Sequence, residues 1–376
     1  MRIARVDVIT ASIPVVRPFR ISLGMVDRKD QVFIRLMDDE GHEGWGECSP
    51  SPLWPRGLTQ SAVRDILIER VVPCLVDRDP NDIGVIMADI ARVAADTPFV
   101  WAPVDIALHD LVARSRGLPV YALLGGLAHR RIPLHWTIGI TSPDVAEKEA
   151  AEAKAAGFTA FKVKVGGADF RAELDTVRAI RSAVGEDVVI AVDANQGWTT
   201  DTAPARIRAL ERFDLELVEQ PVPWWDVRGL ARVRQAVGTP IMADESCFSP
   251  RDAMELVRLE AADVLNIKLM KCGGLWNARK IAAIAEAAGL ACFVGGMTDL
   301  DVAVAAALHF FAAHSVVRYS TGILRPQSAR RAQPVVKNPW QTGPGYFQIP
   351  DGPGLGVEVD SETLEHLGGK TWTAEA

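Results

Sequence analysis

Residues 188–193 read Val-Val-Ile-Ala-Val-Asp and residues 215–219 read Leu-Glu-Leu-Val-Glu, and each of these short, mostly apolar runs ends in a carboxylate. Similar runs recur along the chain, at residues 134–140, 160–165, 241–243, 264–269, 291–294 and 316–319, and Ala-rich amphipathic stretches separate them. Near-continuous apolar runs are typical of parallel strands that are buried on both faces. Eight such strands alternating with helices predict an α/β fold of the TIM-barrel type.

An open, doubly wound sheet is the alternative architecture. It would carry a glycine-rich dinucleotide turn after its first strand, and Gly139 alone does not make one. The first part of the chain differs from the rest, since residues 2–14 and 32–38 resemble antiparallel strands and two or three helices follow. We therefore predict an α+β capping domain over residues 1–125, a barrel over 126–322, and a proline-rich C-terminal segment, 323–376, that returns to the cap.

Composition excludes several classes of protein. The 376 residues carry a formal net charge of −7 and no basic stripe, which argues against a nucleic-acid partner. The five cysteines form no Cys-x-x-Cys pair, so neither a zinc knuckle nor a redox motif is expected. The N-terminal residues do not resemble a signal peptide, and no apolar run is long enough to span a bilayer. We expect a cytoplasmic protein with no membrane partner.

Charged side chains recur where the predicted strands end. Two lysines lie on the second strand, a carboxylate ends each of the next three, and a lysine lies near the end of the sixth: Lys162, Lys164, Asp193, Glu219, Asp244 and Lys268. Counted from Lys164, successive separations are 29, 26, 25 and 24 residues, about one strand–helix unit each. We therefore expect these groups to be neighbours around the C-terminal mouth of the barrel, where the active sites of barrel enzymes lie.

These residue types indicate a metal site with acid–base chemistry beside it. Three carboxylates that converge raise one another's pKa unless a cation lies between them. Oxygen ligands on rigid strands suit Mg²⁺, and zinc is disfavoured because no histidine lies at these strand ends. A lysine beside another ammonium and a divalent cation has a lowered pKa, so it can act as a base near pH 7.

The motifs as a set resemble the enolase superfamily, in its muconate lactonizing enzyme subgroup. They are Lys-x-Lys at residues 162–164, Asp-Ala-Asn-Gln-Gly-Trp at 193–198, Val-Glu-Gln-Pro at 218–221, Ala-Asp-Glu-Ser at 243–246 and Asn-Ile-Lys-Leu-Met-Lys-x-Gly-Gly at 266–274. Gly-Trp-Gly-Glu at 44–47 and Pro-Gly-Leu-Gly at 353–356 extend the resemblance over nearly the whole chain. It implies a modified (β/α)7β barrel with an N-terminal capping domain.

The resemblance also implies roles for individual residues. Asp193, Glu219 and Asp244 match the ligands of Mg²⁺, with Mn²⁺ as an alternative ion. Lys164 matches the base of the second strand, Lys162 the charge-stabilising lysine beside it, and Lys268 the acid/base on the opposite face. Asn195 and Glu245 match positions that line the site or orient its ligands. The implied chemistry removes the α-proton of a small carboxylate substrate to give an enediolate.

Three reactions fit this resemblance. Lysines on two faces favour a racemase or epimerase of an amino-acid derivative, whereas a muconate-type cycloisomerase or a syn-dehydratase would use one lysine as the acid or base. A protein of another class, an inactive barrel that binds carboxylates, is disfavoured because all three ligand positions and all three lysines are present. Dipeptide epimerases carry Asp-x-Asp at the end of the eighth strand to hold an α-ammonium, but residues 318–322 read Arg-Tyr-Ser-Thr-Gly. The mandelate racemase subgroup is disfavoured, since the seventh strand lacks its histidine.

Five further residues are candidates for substrate recognition. Asp299 falls where the family often has glutamate, and Asp301 is expected either to contact a cationic group or to cap the helix that begins near residue 302. In the loop that covers the pocket, Arg56 is a candidate partner of a second carboxylate, and Trp54 of an apolar or quaternary group. Thr321, at the end of the eighth strand, is expected to line the pocket. By analogy with relatives, we expect a homo-oligomer.

Overall fold

A computed structural model describes residues 1–21, 24–297, 299–322, 334–338, 342–343 and 345–376. Its fourteen described strands are β1 Ile3–Ile21, β2 Gly24–Asp38, β3 Glu43–Cys48, β4 Arg131–Pro133, β5 Trp136–Ile138, β6 Ala160–Lys164, β7 Val189–Asp193, β8 Leu215–Glu219, β9 Ile241–Ala243, β10 Val264–Ile267, β11 Ala291–Val294, β12 Thr342–Gly343, β13 Tyr346–Gln348 and β14 Lys370–Glu375.

The described helices are α1 Gln60–Ile66, α2 Ile83–Val93, α3 Pro98–Ser115, α4 Val120–Leu123, α5 Pro143–Ala155, α6 Phe170–Val184, α7 Ala203–Leu210, α8 Val227–Ala236, α9 Pro250–Arg258, α10 Leu269–Cys272, α11 Leu275–Ala287, α12 Asp301–Ala313 and α13 Ser361–His366. In addition, α1 continues into a π-helical turn at Leu67–Val71. Within the described parts of the chain, no helix is both long and apolar enough to cross a membrane.

The barrel strands pair in sequence order. A seven-stranded sheet runs β5-β6-β7-β8-β9-β10-β11, and its neighbouring strands are parallel. Parallel neighbours require a crossover, and α5 to α9 and α11 supply these connections on the outside of the sheet. The predicted barrel architecture is therefore confirmed, with β8, β9 and β11 at the bounds that the sequence predicts.

The predicted eighth strand is the exception. Residues 316–319 form no strand, and the chain there closes the sheet through two isolated parallel bridges, one between Cys292 and Val317 and one between Leu134 and Thr321. Cys292 exchanges backbone hydrogen bonds with Val316 and Arg318, while the Val317 N–H donates to the His314 carbonyl in a turn. The segment still joins β11 to the residues before β5, so it completes the circle.

An antiparallel sheet of order β14-β1-β2-β3, called the cap sheet below, lies against helix α3. Helix α3 approaches β3 closely because glycines stand at the contact: a Cβ at Gly46 would lie 1.7 Å from the Pro103 carbonyl oxygen. The C-terminal strand β14 pairs with β1, which places the end of the described chain on the cap sheet. The loop from β3 to α1, residues 49–59, is called the cap loop below.

Candidate active site

The alternation of strand side chains decides which groups enter the barrel. A buried cluster separate from the main core contains Ala191, Leu217, Met242, Val264 and Phe293, one from each of five neighbouring strands. Side chains two residues apart on a strand point to the same side. The residues two positions further along three of these strands, Asp193, Glu219 and Asp244, therefore lie above this layer, at the carboxyl ends of the strands.

Lys164 lies beside the first carboxylate. Its Nζ contacts Asp193 Oδ2 and donates to Asn195 Oδ1 at 2.9 Å. Asn195 in turn donates from Nδ2 to Glu245 Oε1 at 3.0 Å. This chain of contacts connects the ends of β6, β7 and β9, so four of the predicted site residues meet here.

Lys162 lies two residues earlier on β6 and contacts the second carboxylate. Its Nζ donates to Glu219 Oε2 at 2.8 Å and lies 4.8 Å from the centre of the Phe293 ring. The other oxygen of Glu219 accepts from Asn266 Nδ2 at 2.7 Å. Both carboxylate oxygens are thus oriented by fixed donors, and Asn266 is a site residue that sequence reasoning did not single out.

Two lysines contact the third carboxylate. Lys268 Nζ lies 2.5 Å from Asp244 Oδ2, and Lys271 Nζ lies 2.5 Å from both Oδ1 and the carbonyl oxygen of Asp244. Lys271 is fully buried, and it also donates to the Asn266 carbonyl at 3.1 Å. Sequence reasoning missed Lys271 as a site residue. Lys268 has extended backbone just before the single-turn helix α10, and this turn brings Lys271 back to the same carboxylate.

The two opposed lysines differ in their electrostatics. Burial lowers the pKa of Lys164, and the nearby ammonium groups of Lys162 and Lys268 lower it further, against the opposing effect of Asp193. For Lys268 burial also acts to lower the pKa, but Asp244, Glu219 and Glu245 outweigh it and raise the pKa. The two shifts differ in direction because more carboxylates surround Lys268 than Lys164.

The donor set fits a hard divalent cation. Glu245 Oε2 is buried and has no hydrogen-bond partner among the residues that the structure describes. Burial raises the pKa of Glu245 to about 8, and the neighbouring charges of Asp244 and Asp193 contribute to this rise. The lysines occupy the carboxylate oxygens, and no three His, Cys, Asp or Glu side chains of the described chain already surround one metal position. A metal would therefore bind by displacing ammonium contacts.

The two cap-loop residues that the sequence singles out, Trp54 and Arg56, lie at different positions in the site. The ring of Trp54 covers Lys268, whose Nζ lies 4.0 Å from the ring centre. Arg56 forms long ion pairs with Asp96 and Asp252, at 3.5 and 3.6 Å. It lies at a cavity of about 190 Å³ that Glu245 also lines. Trp54 therefore lies at the lysines, and Arg56 lies at the neighbouring cavity.

The remaining predicted residues are held by structural contacts. Asp299 accepts a hydrogen bond from Ser49 Oγ at 2.8 Å, and Asp301 Oδ2 accepts from the Val335 N–H at 2.8 Å. Asp301 is the first residue of α12, and the prediction that it caps this helix is wrong, since Glu47 of the cap sheet binds the free N–H groups. Thr321 is buried and donates from Oγ1 to the Val294 carbonyl at 2.6 Å.

A closed ring of strands with three carboxylates and lysines on opposite sides of its mouth defines an enolising barrel enzyme. Two family models match the chain: "Mandelate racemase / muconate lactonizing enzyme, N-terminal domain" over residues 4–125 and "Enolase C-terminal domain-like" over residues 145–363. The chain belongs to the mandelate racemase/muconate lactonizing enzyme family of the enolase superfamily, and it is an isomerase of that superfamily. The predicted resemblance is confirmed.

Known relatives carry several related activities. The chain is 39% identical to a hydrophobic dipeptide epimerase of Enterococcus faecalis, covering 83% of this chain and 88% of that protein. It is 32% identical to muconate cycloisomerase 1 of Rhodococcus opacus, covering 99% of each.

Solved structures cover nearly the whole chain. The N-succinyl Arg/Lys racemase of Bacillus cereus has a TM-score of 0.94 at 30% identity, and 99% of this chain and 100% of that one are covered. A dipeptide epimerase of Cytophaga hutchinsonii, complexed with Mg and D-Ala-L-Val, has a TM-score of 0.93 at 30% identity with the same coverage.

Proposed function

We propose that the protein is a Mg²⁺-dependent racemase or epimerase of an N-acylated amino acid. The observation that carries this proposal is the placement of lysines on β6 and just after β10, which are four positions apart in a ring of eight and so lie on opposite sides of the mouth. A carbon held between Lys164 and Lys268 presents one face to each. Removal of a proton on one face and its return on the other inverts that carbon.

Mg²⁺ would be held by Asp193, Glu219 and Asp244, and it would supply positive charge next to the substrate carboxylate. The chain's own residues handle the proton. Lys164, with its lowered pKa, takes the α-proton on its face, and the electron pair of the C–H bond moves into the carboxylate group. Lys268, whose ammonium lies on the other side of the mouth, carries a proton that it delivers to the opposite face. The reverse direction exchanges these roles.

We propose an N-acylated substrate because the described residues 318–322 offer no carboxylate that could bind a substrate α-ammonium group. Described residues 318–322 contain no carboxylate, and the oxygens of Asp299 and Asp301 accept hydrogen bonds from Ser49, from the Met297 N–H and from the Val335 N–H. Among the described residues at this end of the ring, a protonated α-amine would find no carboxylate partner, and it would lose its hydration on entry. An amide nitrogen carries no charge and avoids this cost. The cavity beside Arg56 offers room for the acyl group.

The test is exchange of the α-proton in D₂O, followed by NMR, over a matched panel of N-acetyl amino acids, N-succinyl amino acids and dipeptides with free amino termini. We expect Mg²⁺-dependent exchange and inversion with at least one N-acyl series, and none after Lys164→Ala and Lys268→Ala are combined. Exchange confined to the free-amine dipeptides would overturn the N-acyl assignment. Absence of exchange throughout the panel would overturn the proposed function.

Cycloisomerisation is the second candidate, and the full-length match to muconate cycloisomerase 1 favours it. One lysine would then act as acid or base while the other stabilises charge. Product mass and absorbance distinguish the reactions: a cycloisomerase removes the dienoate absorbance without change of mass, a dehydratase loses water, and a racemase changes only chirality. We expect cis,cis-muconate to keep its absorbance in the presence of the enzyme and Mg²⁺.

A further inference from the structure

A buried carboxylate of the cap sheet reaches across to the barrel. Glu47, on β3, is fully buried, and its two oxygens accept N–H bonds from Leu300 at 2.5 Å, Val302 at 3.1 Å and Ala303 at 3.0 Å. These are the free donors at the start of α12, the helix that follows β11. The residue at the N-cap position, Leu300, has no polar side chain, so the helix depends on Glu47 for its cap.

A second contact holds the residues just before this helix. Ser49, two residues after Glu47, donates to Asp299 Oδ1 at 2.8 Å, and Asp299 Oδ2 accepts from the Met297 N–H at 3.0 Å. Lys29 of β2 donates to the Asp299 carbonyl at 3.2 Å. Glu47 of the cap sheet and Ser49, the first residue of the cap loop, are called the clamp below, and they contact the connection between β11 and α12 at two points.

This connection packs against Lys268. A Cβ at Gly295, the first residue after β11, would lie 2.9 Å from Lys268 Cε and 2.6 Å from Asn266 Oδ1. The Lys268 ammonium also lies 4.0 Å from the centre of the Trp54 ring, in the cap loop. The Lys268 side chain thus packs against both the β11–α12 connection, which the clamp contacts, and the cap loop, which follows β3.

Lys164 has a different environment. Its described hydrogen-bond partners, Asp193 and Asn195, lie at the end of β7, and β7 pairs with β6 along its length. Neither of these hydrogen-bond partners, within the described part of the chain, belongs to the cap sheet or the cap loop. The two lysines are therefore positioned by different parts of the fold.

We propose that Glu47 and Ser49 are positioning residues for one face of the reaction, so that the cap sheet controls proton transfer at Lys268 and leaves Lys164 unaffected. This inference rests on the proposed function, since it requires lysines that act on opposite faces. It makes the clamp a control point for stereochemical inversion that does not itself touch the substrate. A carboxylate whose only role is to stabilise the fold would affect both faces alike.

The test uses Glu47→Gln, Ser49→Ala and a matched control, Asp110→Asn. Glutamine keeps the size of the side chain, but its NH₂ group meets an N–H donor where a carboxylate oxygen accepted one. Asp110 is a similar buried carboxylate that accepts from the Trp45 N–H at 2.9 Å and the Leu355 N–H at 2.7 Å, away from the β11–α12 connection.

The readout is the initial loss of the α-proton in D₂O, measured separately from each stereoisomer with Mg²⁺ present. A variant cannot change the equilibrium constant between the two stereoisomers, so it slows their interconversion equally in both directions. The informative quantity is therefore the rate at which each isomer exchanges its α-proton for deuterium while keeping its configuration. The isomer whose exchange is lost in Lys268→Ala identifies the Lys268 face. We expect Glu47→Gln to slow exchange on that face by about tenfold or more, with the other face within about twofold.

Ser49→Ala is expected to give a smaller change on the same face, and Asp110→Asn to leave the ratio of the two rates unchanged. Equal slowing of both faces in the clamp variants, or an unchanged ratio, would overturn the inference. If Glu47→Gln does not fold, Ser49→Ala decides the question by the same ratio. If the wild-type enzyme exchanges neither isomer of any panel member, the proposed function fails and the inference fails with it. If the wild-type enzyme does exchange both isomers but the clamp variants leave the ratio of the two rates unchanged, only the inference fails.

Discussion

Replacement of Lys271 by methionine tests the charge balance of the site. The Lys271 ammonium is fully buried and contacts Asp244 twice and the Asn266 carbonyl once. Removal of one partner from a buried ion pair typically costs about 3–5 kcal/mol, because a charge is left without compensation. Asp244 keeps Lys268 at 2.5 Å, so the lower end applies and we expect a loss of about 3 kcal/mol.

The assay is urea unfolding at pH 7 with EDTA present, applied to Lys271→Met, Asp244→Asn and the double variant. The double variant should be less destabilised than the sum of the single variants by at least about 1 kcal/mol, because each single change already removes the same Lys271–Asp244 ion pair. Lys148→Met, at an exposed position, is the control and should change stability by no more than about 0.5 kcal/mol. A decrease of less than about 1 kcal/mol in the free energy of unfolding of Lys271→Met would contradict a stabilising buried ion pair between Lys271 and Asp244.

Two other predictions concern acid stability and close packing. Burial lowers the pKa of His309 from 6.5 to about 4. Between these values the unfolded chain binds a proton at His309 that the folded chain does not bind, so the free energy of unfolding should fall by about 2 kcal/mol from pH 7 to pH 5. In urea unfolding, His309→Gln should lose this share of the pH dependence, and an unchanged pH dependence would exclude His309 as its source. Gly295→Ala should lower turnover at least about tenfold, with about 1–3 kcal/mol of destabilisation, because its Cβ would collide with Asn266 and Lys268. Normal kinetics in this variant would contradict the packing.

The barrel and its ring of charges could be predicted from local patterns. Each strand end carries its own polar residue, and the strand–helix spacing alone places these residues side by side. The features that were not predicted depend on contacts between residues far apart in the sequence, which local sequence patterns do not indicate. Glu47 caps a helix that begins more than 250 positions later, and nothing near Leu300 indicates which distant carboxylate binds there.

Two further differences have local causes. The sequence extends the sixth strand through residue 269, whereas β10 ends at Ile267 and a single-turn helix follows. This turn brings Lys271 back onto Asp244, which a continued strand would not do. The closing segment after α12 has the composition of a strand but pairs with its neighbours through two isolated bridges. Whether such a segment forms a strand depends on pairing with neighbouring strands, which its composition does not determine.

The central claim is that Lys164 and Lys268 act on opposite faces of one carbon. The most direct measurement compares Lys164→Ala with Lys268→Ala for α-proton exchange in D₂O, starting from each stereoisomer of a substrate that the wild-type enzyme inverts. We expect each variant to lose exchange from one isomer, the two variants to lose opposite isomers, and neither variant to invert the substrate. Loss of the same isomer in both variants, or inversion that survives either change, would contradict it.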